Sequence, residues 1–177
     1  MYIRTKRIKK EDYAYLVSSK WNRVKKTSKQ VFSKYLGKVY TPNKQYNLSL
    51  KDIKKIEDID SYIDNTSTKE IIRDIITLDV LNHNLIKNKE IYELEDIYVD
   101  LNNLKVYNQD FKPCVIKMNN GYLCDYTLKN LFEIMPSSTD ELAFGKKLAR
   151  AFIESGIGIE KEFFVLIFDK IYKKEVT

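Results

Sequence analysis

This sequence has few of the residues on which small enzymes and cross-linked scaffolds depend. It holds one histidine, two cysteines, three prolines, five glycines and one tryptophan in 177 residues. With His83 as the sole histidine, no pair of imidazoles can build a zinc site or an acid–base couple from one chain. Cys114 and Cys124 are not spaced as Cys-x-x-Cys and have no histidine nearby, so neither a disulfide scaffold nor a closed metal site is expected. Both thiols suit a reducing cytoplasm, and Cys114 reads as a small core residue. Gly156-Ile157-Gly158 lacks the third glycine, the preceding strand and the following lysine of a phosphate loop, so it reads as a helix stop. The longest apolar run is Phe163–Phe168, far short of the ~20 residues a membrane span needs. The N-terminus is charged, with no apolar stretch resembling a secretory signal. These absences point away from membrane, secreted and disulfide-rich classes and toward a cytoplasmic chain without a cofactor or metal.

The composition that remains is that of a folded globule. It is 44% apolar and 12% aromatic, and a chain of this length buries roughly two-thirds of its unfolded surface. Lysine (26), isoleucine (20), asparagine (13) and tyrosine (13) are abundant, as A/T-rich coding would give, so lysine number alone means little. Its distribution means more. Residues 1–40 hold 12 Lys/Arg and 2 Asp/Glu, a local charge of +10; the other 137 residues hold 19 and 23, a charge of −4. A basic block at one end of an otherwise acidic chain is the pattern of a polyanion contact.

Periodicity yields an α+β chain. Residues 2–9, 13–17 and 28–36 read as a three-stranded antiparallel meander, with 19–27 as a long basic loop. In its third strand, Gln30, Phe32, Lys34 and Leu36 fall on one face and Val31, Ser33 and Tyr35 on the other. Thr41-Pro42-Asn43-Lys44-Gln45 reads as a linker. It separates a basic meander, 1–40, from a mixed body, 46–177. Ser49 with Asp52, Ser67 with Glu70, and Ser138 with Glu141 are capping-box signals. They open expected helices over about 50–57, 68–86 and 139–154. Further helices are expected over 124–134 and 159–172, giving four to five in all. Residues 97–101, 104–107 and 114–118 read as a second three-stranded meander.

The expected contact residues are Lys6, Arg7, Lys9, Lys10, Lys20, Trp21, Arg23, Lys25, Lys26, Lys29 and Lys34. The lysines would neutralise phosphates and release counterions. Trp21 sits among them with Tyr13, Tyr15 and Phe32 interleaved. It either stacks on a base, worth ~1–3 kcal/mol, or packs on the sheet edge. Lysine dominance favours backbone attraction over bidentate base reading, which is mostly arginine work.

The string Tyr13-Ala-Tyr-Leu-Val17, then Lys25-Lys26, Lys29-Gln-Val31 and Lys34-Tyr-Leu-Gly37, resembles the basic leader of some prokaryotic insertion-sequence transposases. That resemblance covers about 35 residues and implies DNA contact by a shared binding module. It carries no carboxylate triad and implies no transposition. Residues 40–177 match no pattern of this kind.

The expectation is therefore a non-catalytic nucleic-acid-binding protein, DNA favoured over RNA, with weak sequence preference and strong salt dependence. The body would meet a protein partner or a second copy; Phe163–Ile171 is its most apolar candidate surface, although core burial is the expected fate of that stripe. Two other classes stay open. One is an adaptor subunit docking its basic end on an acidic protein. The other is a small metal-dependent nuclease using carboxylates such as Asp96 and Asp100, with Glu93, Glu95 and Lys117 nearby.

Overall fold

The computed structural model describes residues 1–24, 26–136 and 140–176. Among them the chain is α+β, with nine strands in two sheets and six helices. Strands β1 (Tyr2–Ile8), β2 (Glu11–Asn22) and β3 (Thr27–Tyr40) form the expected antiparallel N-terminal meander. Lys9 and Lys10 join β1 to β2 with φ of 49° and 73°. Left-handed conformation at both central residues matches the right-handed twist of the flanking strands.

The expected basic loop at 19–27 is mostly strand. Ser18 to Asn22 pair with Val31 to Thr27, so β2 and β3 run on as a hairpin, with Arg23, Val24 and Lys26 in the turn between them. The alternation of Ser, Lys and Trp across this stretch is compatible with strand, but its polarity hides it, because no face of it is buried.

After the meander come α1 (Leu50–Lys54), α2 (Ile59–Asn65) and α3 (Thr68–Asn82). The Ser49–Asp52 and Ser67–Glu70 capping boxes both form, each serine taking the N3 amide while the acid accepts from the serine amide. Helix α2 was not anticipated; Asp58 caps it, accepting from the Ser61 amide at 2.9 Å. Strands β4 (Ile86–Asn88), β5 (Ile91–Leu94), β6 (Ile97–Asp100) and β7 (Lys105–Asn108) form a second antiparallel sheet.

The expected second meander is thus shifted. Its third strand, β8 (Cys114–Met118), leaves that sheet and pairs in parallel with β3 through Lys38–Cys114, Val39–Val115 and Tyr40–Ile116. Strand β9 (Gly121–Leu123) follows it, and the first sheet has the order β1-β2-β3-β8-β9. Sequence alternation gives each strand's period but not its neighbour.

Helices α4 (Asp125–Phe132), α5 (Glu141–Ser155) and α6 (Lys161–Val176) complete the chain. Ser138 of the third capping signal lies outside the described residues. Asp140 is the N-cap of α5, accepting from the Ala143 amide at 3.0 Å. Gly156 ends α5 at φ 73°, the stop read from the sequence.

The main core joins Ile71, Ile72, Ile75 and Ile76 of α3 to Phe144, Leu148 and Phe152 of α5 and Ile167 and Ile171 of α6. Phe163, Phe164 and Phe168 pack against it, so the apolar stripe of α6 is used within the fold. A second, smaller core gathers Ala14, Leu16 and Leu36 of the meander with Val115 and Cys124.

A buried polar knot locks the elements around the C-terminal end of α3. The Asp79 carboxylate accepts from the Gly158 amide at 2.6 Å and from Asn119 Nδ2 at 3.1 Å. The Asn82 side chain accepts from the Leu48 amide, and its carbonyl accepts from Gln45 and Tyr46. The segment after Pro42 is therefore pinned to α3. His83 is the C-cap of α3 and is buried; its Nδ1 lies 2.8 Å from the Asp79 carbonyl oxygen.

Gly37 permits the β3–β8 junction. Its φ is +129°, and a Cβ there would lie 2.1 Å from the Pro113 carbonyl oxygen. Gly37→Ala is expected to destabilise the fold by on the order of 3 kcal/mol, through strain and displacement of β8. Urea unfolding should show a lower midpoint at unchanged m; an unchanged midpoint refutes the packing argument.

Burial raises the Asp79 carboxyl above its ordinary 3.8, against the opposing Gly158 amide and His83. Its folded-state contribution is therefore fully present below about pH 4 and is lost as pH rises through the folded value. Asp79→Asn keeps an acceptor for Gly158 and removes the ionisation. The variant's stability relative to wild type should rise between pH 4 and pH 8 in urea titrations; a pH-independent difference contradicts this.

Candidate nucleic-acid interface

The expected contact residues do not form one cluster. Lys9 and Lys10 sit in the turn at the start of β2, and Arg23 and Lys26 in the turn at its end. Twelve strand residues separate the turns, roughly 40 Å at ~3.3 Å each. Lys25 lies outside the described residues. Lys6 and Trp21 share one face of the sheet, while Arg7, Lys20, Lys29 and Lys34 fall on the other by their pairing register.

Beyond Val17 the hairpin loses its flanking strand. Strand β1 pairs with β2 only from Val17 back to Glu11, and β8 meets β3 only at Lys38–Tyr40. Residues Ser19–Gln30 are therefore a two-stranded ribbon, exposed on both faces at every described position. It contains no acid; indeed none occurs from Tyr13 to Lys51. Lys20 and Lys29 are direct cross-strand partners, an arrangement that costs stability because like charges face each other. Trp21, one position on, is 63% exposed, so the sheet-edge packing alternative is excluded in this structure.

Two bulges rearrange the faces of β3. Ten residues of β2 (Tyr13–Asn22) face twelve of β3 (Thr27–Lys38), with Ser33 and Leu36 left unpaired at the register shifts. Phe32 pairs with Val17 and Tyr35 with Tyr15, so these two rings, expected on opposite faces, share one. Lys34 goes to the opposite face beside Leu16. The result is a face of Tyr2, Val17 and Phe32; Arg4, Tyr15 and Tyr35; Lys6, Tyr13 and Lys38. Tyr15 lies 5.4 Å from Tyr35 and 6.0 Å from Phe32 between ring centroids. Arg4 donates to Gln30, whose amide donates to the Tyr2 hydroxyl. Arg4, Lys6, Tyr15, Val17 and Phe32 line a depression of about 450 Å³.

Arg4, Tyr35 and Lys38 were not among the residues singled out. The period-2 placement of Arg4 with Lys6 was visible, but the bulges that recruit Tyr35 have no local signature. On this face Lys38 donates to Glu11, as does the Tyr13 hydroxyl. The Lys38 and Tyr13 hydrogen bonds hold the Glu11 carboxyl below its usual range, and the Glu11 contact holds Lys38 above its own. The one acid of this face is thereby matched by a lysine.

The carboxylates considered for a nuclease are spent locally where the structure records them. Asp100 accepts from the Asn102 and Asn103 amides at 2.9 Å and from Asn103 Nδ2 at 2.7 Å, holding the β6–β7 turn. Among the described residues no group of three or more His, Cys, Asp or Glu is placed to hold a metal, and no helix is long and apolar enough to cross a membrane. No family model matches the chain, and neither curated proteins nor solved structures yield a match.

Burial pushes the Cys114 thiol up to about 12 and raises Cys124 as well. Neither thiol should react with a disulfide reagent at pH 8 in the native protein, and both should react in urea. Fast labelling of the folded chain would refute this placement.

Proposed function

We propose that this chain binds nucleic acid without altering it, through phosphate contacts made by the N-terminal meander. The observation that carries this reading is the acid-free two-stranded ribbon Ser19–Gln30. A ribbon with no buried face is marginal in water. Facing Lys20 with Lys29 weakens it further, and a polyanion laid across the pair removes that repulsion. Trp21 stands exposed on the opposite face of the ribbon, and Arg23 and Lys26 make its tip cationic. DNA is favoured over RNA by the resemblance of residues 13–37 to transposase leaders. Lysines outnumber arginines among the contact residues, which supports weak sequence preference. The helical body, whose α6 stripe is packed in the core, would serve as the platform that presents the meander.

The test is fluorescence anisotropy with labelled DNA and RNA over a salt series. Wild type should bind, with log affinity falling steeply against log salt. Lys20→Ala/Lys29→Ala should weaken binding across sequences and reduce the salt slope by about 2, one per lost phosphate contact. Absence of binding at physiological salt overturns the proposal. Co-purification of an acidic protein in fixed ratio would then assign the basic end to an adaptor role.

A further inference from the structure

We propose that the face of β1, β2 and β3 carrying Arg4, Lys6, Tyr15, Phe32 and Tyr35 stacks unpaired bases, so that the ligand class is single-stranded nucleic acid. This rests on the nucleic-acid reading above and narrows it.

Beyond shielding Val17, this face does little for the fold. The opposite side of the same strands carries Ala14, Leu16 and Leu36, and that side closes on Val115 and Cys124. Among the described residues, Tyr2, Tyr13, Tyr15, Phe32 and Tyr35 of the aromatic side belong to neither core. Phe32 is 60% exposed and Tyr35 47% exposed. Leaving such rings in water forgoes burial that would stabilise the chain. Two bulges are needed to put both rings on this face, and bulges act to re-aim side chains.

Charge complementarity selects the occupant. The cations Arg4, Lys6 and Lys38 share this face, and its acid, Glu11, is held by Lys38. A neutral or cationic ligand gains nothing from Arg4 and Lys6, whereas phosphates do. Arg4 is also oriented on this face: Gln30 accepts from it while donating to Tyr2, which sets a planar guanidinium beside the Tyr15–Phe32 pair.

Geometry selects single strands over duplex. In a duplex the flat faces of the bases are covered by their neighbours, and only edges and phosphates are presented. Rings lying on a sheet can meet the face of a base only when that base is unstacked. Trp21 lies on the same face four residues along β2 from Val17, roughly 13 Å by strand rise. The track therefore leads from the Arg4 depression toward the ribbon tip.

The experiment compares a labelled homopyrimidine single strand with a duplex of equal length. The proteins are wild type, Phe32→Leu, Phe32→Trp and Lys20→Glu/Lys29→Glu, all as full chains with unfolding midpoints checked. Phe32→Leu should lose about tenfold in single-strand affinity, as expected for one stacked ring. Its duplex affinity should change less than twofold, and Phe32→Trp should retain single-strand binding. The fluorescence of Trp21, the sole tryptophan, should be quenched by the single strand. If Phe32→Leu leaves single-strand affinity unchanged, or lowers both ligands equally, the stacking face is overturned. The nucleic-acid reading still stands in that case if the Lys20/Lys29 reversal abolishes binding. If wild type binds neither ligand at physiological salt, both readings fall.

Discussion

Three residue pairs, Lys38–Cys114, Val39–Val115 and Tyr40–Ile116, join the N-terminal meander to the rest of the chain in a single sheet. They form only because β3 can approach the segment around Pro113 closely, and Gly37 supplies that approach. Everything the meander could do depends on this junction. A free hairpin of this composition would not hold its faces in water. Joined to β8, it gains a small core of its own through Ala14, Leu16, Leu36, Val115 and Cys124. The cationic ribbon is thereby anchored at one end and left without flanking strands at the other.

The consequence is a division of labour along β2 and β3. Near the junction, one side of the sheet is buried and the other bears exposed rings. Farther out, both sides are exposed, and apart from Trp21 and Val24 the described side chains are polar or cationic. Local propensity and cross-strand charge oppose the ribbon's own stability at Lys20 and Lys29. Conflicts of this kind concentrate where a protein meets a ligand rather than where it packs. A polyanion reverses the sign of that particular conflict, which ties the electrostatics of the ribbon to the proposed function.

The body is held together differently. Asp79 and Asn82 take buried polar positions at one end of α3 and satisfy amides from Leu48, Asn119 and Gly158, which lie in three separate segments. Apolar packing among α3, α5 and α6 sets the distance between these segments, and the hydrogen bonds set their register. The hydrogen bonds offset part of the cost of burying the Asp79 carboxylate, because their donors are held in place by the same fold. This knot lies at the far end of the linker from the meander, so it stabilises the platform without entering the interface.

Much of this architecture is legible in the sequence. The Ser49 and Ser67 boxes, the stop at Gly156, the α3 stripe, the first meander and the +10 block of residues 1–40 all rest on local signals. A cap needs residues three apart, a helix face repeats every few residues, and net charge needs no geometry at all. The transfer of β8 to the first sheet, the shared face of Phe32 and Tyr35, and the opposite sides taken by Lys6 and Lys20 were not legible. Each depends on register between distant segments, and one bulge reverses every side chain beyond it. The sequence by itself determined that the chain is α+β with a cationic end. Only the tertiary structure decided which rings and cations stand together, because strand pairing is a non-local choice that no short stretch of residues encodes.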